Sequence, residues 1–258
     1  MMGLTKMECQ ATLIQLQNIQ KSFGDLVALR DINLNVQAGT RLVLVGESGS
    51  GKSTLLRLLI GLEKPAAGEL RLFDRPVSGG DWQALRARIG YVIQEGGLFP
   101  HLSAAQNVVL GALAKGWDKQ RRQQRLRLLA DLTQVPLQAL RRYPHQLSGG
   151  QRQRVALMRS LMLDPAVLLL DEPLGGLDPI IRFELQQQLL ELFKDLGKTV
   201  VLVTHDLPEA AFFSQDLVVM HQGQIQQRGS IADLVSDPAN DYVERFVAAV
   251  RPWPGAGS

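Results

Sequence analysis

The sequence predicts an α/β fold in which a mixed sheet carries a helical insertion. Three observations point to it. AVLLLDEP (166–173) and KTVVLVTHD (198–206) contain unbroken apolar runs, the pattern of strands covered on both faces. Between them, FELQQQLLELFKDLG has the apolar spacing of an amphipathic helix, and Gly197 stops it. RLVLV leads directly into a glycine-rich loop and then into TLLRLLIGL, a strand–loop–helix unit.

The elements follow in order. Residues 13–45 alternate strand-like segments, LIQLQNIQKSF, INLNV and RLVLV, with turns at Asp25, Gly39 and Thr40. TLLRLLIGL, from Thr54, reads as a helix, and GELRLF (68–73) and ARIGYVIQ (87–94) read as strands. From about Ser103 to Leu163 the pattern turns helical; Leu126, Leu129 and Leu132 recur at a spacing that fits one helix face. A helical subdomain is therefore expected near 95–165. DLVVMHQGQIQQRG reads as a hairpin turning near Gln222–Gly223, and a last helix is expected at about Asn240–Val250. The Pro/Gly-rich tail RPWPGAGS is expected to be disordered.

Composition narrows the classes. The chain has 258 residues, 45% of them hydrophobic, enough for one large domain with a sizeable core. Its 28 basic against 25 acidic residues leave a charge of only +3, too small an excess to make nucleic acid the main partner. The single cysteine, Cys9, allows no internal disulfide and suits a reducing compartment. No apolar run is long enough to span a bilayer, and MMGLTKMECQ lacks the apolar core of an export signal.

GESGSGKS, Gly46 to Ser53, matches the full G-x-x-x-x-G-K-[ST] pattern between a strand and a helix. Gly46, Glu47, Ser48, Gly49, Ser50 and Gly51 would curl backbone N–H groups around phosphate oxygens, and the helix start adds partial positive charge. Lys52 would reach the β- and γ-phosphates of ATP, Ser53 would offer its hydroxyl to Mg²⁺, and Thr54 would help hold the α-phosphate. Asp171 and Glu172 leave the strand VLLLD at the end where ligands gather in open sheets. Asp171 suits the Mg²⁺ shell and Glu172 suits polarisation of an attacking water. His205 ends the next buried strand and would reach the same sheet edge.

A second phosphate-binding pattern, LSGGQ (Leu147, Ser148, Gly149, Gly150, Gln151), opens a helix about a hundred residues later. Taken with GESGSGKST, Gln94, VLLLDE, Asp178 of GGLDP, and His205, all in this order, it makes residues 13–235 resemble the ATP-binding cassette ATPases. That resemblance implies a P-loop core with an antiparallel β subdomain and a helical subdomain, spanning 12–248 with tails at 1–11 and 249–258. It implies that LSGGQ closes over ATP held by a second copy in a head-to-tail homodimer, with Asp178 in the loop crossing that interface. Gln94 would sense Mg²⁺ and the attacking water, and Phe23 would stack on adenine in place of the commoner Tyr.

The resemblance further implies a peripheral subunit at the cytoplasmic face of the inner or plasma membrane. Its partners would be transmembrane permease subunits, received near EGGLFPHLSAAQN, and a solute-binding protein. IGYVIQEGGLFPHLSAAQNV and DPANDYVERFV are most similar to the importers of glycine betaine, choline and related osmoprotectants.

Overall fold

The computed structural model describes residues 11–77, 82–94 and 96–249. The tails expected at 1–11 and 249–258 lie outside these apart from Ala11 and Ala249, as do Cys9 and the sequence RPWPGAGS. In chain order the elements are β1 (Thr12–Phe23), β2 (Leu26–Gln37), β3 (Arg41–Val45), α1 (Lys52–Leu59), β4 (Ala67–Leu72), β5 (Arg75–Pro76), α2 (Trp82–Ala87) and β6 (Ile89–Val92). They continue with α3 (Ala104–Ala114), α4 (Lys119–Leu132), α5 (Gly149–Leu161), β7 (Val167–Asp171), α6 (Pro179–Leu196) and β8 (Thr199–Thr204). Last come α7 (Leu207–Phe213), β9 (Asp216–His221), β10 (Gln224–Gly229), α8 (Ile231–Ser236) and α9 (Asp241–Ala248).

Two sheets form. One is antiparallel, in the order β2-β1-β4-β5; the other is mixed, in the order β10-β9-β3-β8-β7-β6, with only the β9–β10 pair antiparallel. Side chains alternate across a strand, and the apolar runs of the mixed sheet feed two cores. Val43 and Val45, Leu168 and Leu170, and Val200 and Leu202 face the core shared with α3, α4, α5, α6 and α7. Leu42 and Leu44, Val167 and Leu169, and Val201 and Val203 face the opposite core, with α1 and the antiparallel sheet. Burial on both faces explains why these strands carry no polar alternation.

Local signals end most elements where the sequence places them. Gln222 and Gly223, both with positive φ, turn the β9–β10 hairpin, and Gly197 in left-handed conformation caps α6. Leu126, Leu129 and Leu132 all pack into the core from α4. Several boundaries differ: α1 opens at Lys52 rather than Thr54, and the strand expected over 87–94 narrows to Ile89–Val92, with Ala87 ending α2. β2 begins at Leu26, six residues before INLNV, because it pairs with β1 almost as soon as the Gly24–Asp25 turn closes. α6 begins at Pro179 rather than Phe183: Asp178 accepts a hydrogen bond from Ile180 N–H, and Pro179 takes the first helical position.

Candidate functional site

The parallel strands β3, β7 and β8 release their carboxyl ends side by side, and the segments leaving them line a cleft of about 440 Å³. Ser48, Gly49, Gly51, Lys52, Ser53 and Thr54 form its floor, with Gln94, Glu172 and His205 on one wall. Phe23, with Leu26, Val27 and Ala28 at the start of β2, forms the other. Phe23 is 42% exposed, with the Lys21 ammonium 4.7 Å from its ring centre, so it is a face offered to the cleft and no part of the core.

The loop from Gly46 depends on absent side chains. Gly46 has φ +154°, and a Cβ there would lie 2.1 Å from the Met220 carbonyl oxygen of β9. Lys52 is 5% exposed, and its ammonium donates to Gly46 O and Glu47 O at 2.7 Å and to Ser50 Oγ at 3.1 Å. Burial lowers its pKa, while Glu172, Asp171 and Glu47 oppose that shift.

Beside this loop sit the two carboxylates. Asp171 is 6% exposed; Ser53 Oγ donates to Oδ1 at 3.0 Å and Tyr91 Oη to Oδ2 at 3.4 Å. Burial raises the Asp171 pKa, the Ser53 bond opposes it, and Glu172 adds to it. Tyr91, desolvated against this carboxylate, is pushed up to about 12. Glu172 takes left-handed backbone, φ +45°, and anchors its N–H on Val203 O at 2.9 Å. That turn brings Oε1 to 3.2 Å from His205 Nδ1 and Oε2 to 3.2 Å from Gln94 Nε2. A non-glycine residue held there stores about 1–3 kcal/mol of strain, a cost typical of functional turns.

The donor set fits Mg²⁺. Ser53 hydroxyl and Asp171 carboxylate are hard oxygens in contact, and no group of three His, Cys, Asp or Glu side chains gathers among the described residues to hold a softer metal. Gln94 is bonded to Glu172, one residue along from Asp171.

LSGGQ is not part of this cleft. Ser148 caps α5, accepting from Gln151 N–H at 3.2 Å, while Gln151 Oε1 accepts from Ser148 N–H at 3.2 Å. Leu147 is buried, and a Cβ on Gly149 or Gly150 would touch Leu177 or Ile181 at 3.0 Å. Asp178 is likewise away from the cleft. Beside these residues Ile180, Ile181 and Phe183 are exposed apolar side chains at the start of α6.

Sequence reasoning did not find Tyr91, Leu26, Val27 or Ala28. The alternation of β6 is a signal for Tyr91, whose neighbours Gly90 and Val92 face away from Asp171's side of the strand. Of the apolar residues around EGGLFPH, Leu98 packs against the core while Phe99 is 44% exposed. Glu95 lies outside the described residues.

A family profile described as ABC transporter matches residues 29–175. The ATP-binding protein of the Escherichia coli K12 glycine betaine uptake system is 43% identical over 91% of this chain and 76% of its own length. The choline transport ATP-binding protein of Bacillus subtilis is 38% identical over 93% of this chain, which spans 63% of that longer protein. A sulfate/thiosulfate import ATP-binding protein of Synechococcus elongatus is 42% identical over 96% of this chain and 71% of its own. Among solved structures, a dimeric ATP-binding cassette in a post-hydrolysis state bound to ADP and Pi is 33% identical, with a TM-score of 0.76, over 85% of this chain and 99% of that one.

Proposed function

This chain belongs to the ABC transporter family, and on that premise we propose that it is the ATP-hydrolysing subunit of an importer for a quaternary-amine osmoprotectant. The observation that carries the ATPase reading is the convergence of Gln94, Glu172 and His205 on the cleft floored by Ser48, Gly49 and Gly51–Thr54. Residues 12–248 would form the ATPase domain, with 95–165 as its helical subdomain.

Phe23 offers its face to adenine, and the loop's N–H groups with Lys52 take the phosphates. Ser53 and Asp171 would hold Mg²⁺, which supplies charge neutralisation on the phosphates when bound. Glu172 orients and deprotonates the attacking water. His205 and Gln94 fix the two oxygens of that carboxylate, so the base enters the reaction already aligned.

A second copy supplies Ser148, Gly149 and Gly150 at the γ-phosphate, with the start of α5 adding its dipole. The exposed Ile180, Ile181 and Phe183 beside Asp178 support a face that meets that copy. A two-fold pair closes on itself and leaves no edge for fibres. Dimerisation on ATP and release on hydrolysis would drive a transmembrane permease, with this subunit peripheral at the cytoplasmic face and a solute-binding protein outside. No helix among the described residues is long and apolar enough to cross a membrane.

The solute reading rests on the betaine and choline relatives; the sulfate relative at similar identity is the competing reading. The test is uptake in cells lacking this chain, with and without it restored together with its permease. Restored uptake of glycine betaine or choline, and not of sulfate, supports the osmoprotectant reading. Restored sulfate uptake alone replaces it.

A further inference from the structure

The phosphate loop is backed by a part of the chain that no nucleotide motif marks. Gly223 N–H, in the β9–β10 turn, donates to Ser50 O at 3.1 Å, and Gly223 O accepts from Arg30 N–H of β2 at 2.8 Å. His221, at the end of β9, brings Nδ1 to 3.8 Å from Glu47 Oε2. Tyr242, in the first turn of α9, lies flat on the His221 ring, with centroids 3.8 Å apart and planes 26° apart. Phe246, one turn later, stacks on Tyr242 at 5.9 Å and 19°. The Tyr242 hydroxyl is buried and makes no hydrogen bond of full geometry among the described residues. Burial and then the Glu47 carboxylate raise its pKa, while the Glu47 backbone opposes them.

α9 is firmly mounted. Gln227 donates to Asp237 O at 2.9 Å and accepts from Ala239 N–H at 2.8 Å, and Asn240 Nδ2 donates to Gln226 Oε1 at 3.1 Å. Val243 and Val247 are buried. Glu47 is the point where this mount meets the loop. Its carbonyl accepts from Ser50 N–H at 3.2 Å and from the Lys52 ammonium at 2.7 Å. Neither His221 nor Tyr242 lines the cleft itself.

We propose that Tyr242 and His221 are positioning residues for the phosphate loop: through Glu47 they hold its backbone ready for a triphosphate, so that α9 sets the strength of the grip without touching nucleotide. A loop already ordered before binding loses less freedom when the ligand arrives. Stacked rings pinned between a mounted helix and the end of a strand supply that order. Glu47, whose side chain is largely exposed, is otherwise free to turn.

The proposal rests on Gly46–Ser53 being the nucleotide grip. The test measures the Kd of a fluorescent N-methylanthraniloyl-ATP, the KM and kcat for ATP, and Tm, on full-length Tyr242→Ala, His221→Ala and Tyr242→Phe. The two alanine variants are expected to raise Kd and KM by about 3- to 10-fold with kcat within about twofold, the scale of a lost ring pair. Tyr242→Phe keeps the stack and is expected near parental values. Should Tyr242→Ala not fold, His221→Ala decides the matter, since it removes only a partly exposed ring. Folded alanine variants with unchanged Kd and KM, or with the whole loss in kcat, overturn the proposal. A parent that binds no nucleotide overturns the reading of the loop itself.

Discussion

Gln94 Nε2 donates to Glu172 Oε2 across 3.2 Å, joining the segment that follows β6 to the turn that follows β7. The bond holds one oxygen of the carboxylate while His205 holds the other. Replacing Glu172 with Gln preserves shape and removes the carboxylate proposed as the base. Turnover is expected to fall by about 10²–10⁴-fold, about 3–5 kcal/mol in the barrier, with ATP binding retained. Single-turnover ATPase rates and nucleotide binding check this, and gel filtration with ATP should show the variant held as a dimer. Hydrolysis at the parental rate would place the base elsewhere.

If a second copy completes the site, as proposed, the separation of LSGGQ from the cleft predicts complementation between broken copies. Lys52→Ala loses its own grip, and Ser148→Arg obstructs the partner's site; each alone is expected to be nearly inactive. In an equal mixture, half the pairs contain one intact composite site, so activity should recover to at most about a quarter of the parent. ATPase assays of the two proteins, separate and mixed, test this. A mixture no better than its components argues against a shared site.

Phe23 presents an exposed face where β1 ends. Phe23→Ala is expected to raise the KM for ATP by about 3- to 10-fold, whereas Phe23→Tyr should leave it close to parental. The same variants should hardly change Tm, because the ring contributes little to the core. A large Tm loss with an unchanged KM would mark Phe23 as a packing residue.

The elements legible in the sequence are those whose cause is local. Asp171 and Glu172 follow a run buried on both faces, and the Gly46–Ser53 loop declares itself between a strand and a helix. Asp178–Pro179 carried a legible helix start that the apolar pattern from Phe183 obscured. What could not be read joins segments distant in sequence. Gly46 is required by Met220, the aromatic stack on His221 comes from Tyr242, and Asp171 is met by Tyr91. The first two pairings leave no periodicity or spacing behind, and the third leaves only the alternation of β6, because each depends on how distant segments pack together.

Arg159 is such a case on α5. Its guanidinium donates to Gly96 O and Gly97 O at 2.8 Å, tying the LSGGQ helix to the segment just after Gln94, and burial lowers its pKa. Arg159→Ala leaves two carbonyls without their charged donor, a loss of about 2–3 kcal/mol in urea unfolding. Arg159→Lys can reach one carbonyl at a time and should recover part of that stability. Unchanged unfolding midpoints in both variants would show that the tie carries no weight.

Glu209 on α7 is 4% exposed; Thr204 Oγ1 donates to its Oε2 at 2.7 Å, and its Oε1 is buried with no hydrogen-bond partner among the described residues. Burial raises its pKa above the ordinary 4.5, against the Thr204 bond, with Asp206 adding to the rise. The folded chain therefore holds this proton more tightly than the unfolded chain does. As pH rises from about 4.5 through the folded value, the unfolded chain releases its proton first, and stability is lost across that window. Glu209→Gln has no such proton and keeps an oxygen for Thr204. Its Tm should exceed the parent's at pH 8, and the gap should close toward pH 4. A Tm difference independent of pH would mean the side chain matters through packing and hydrogen bonding alone.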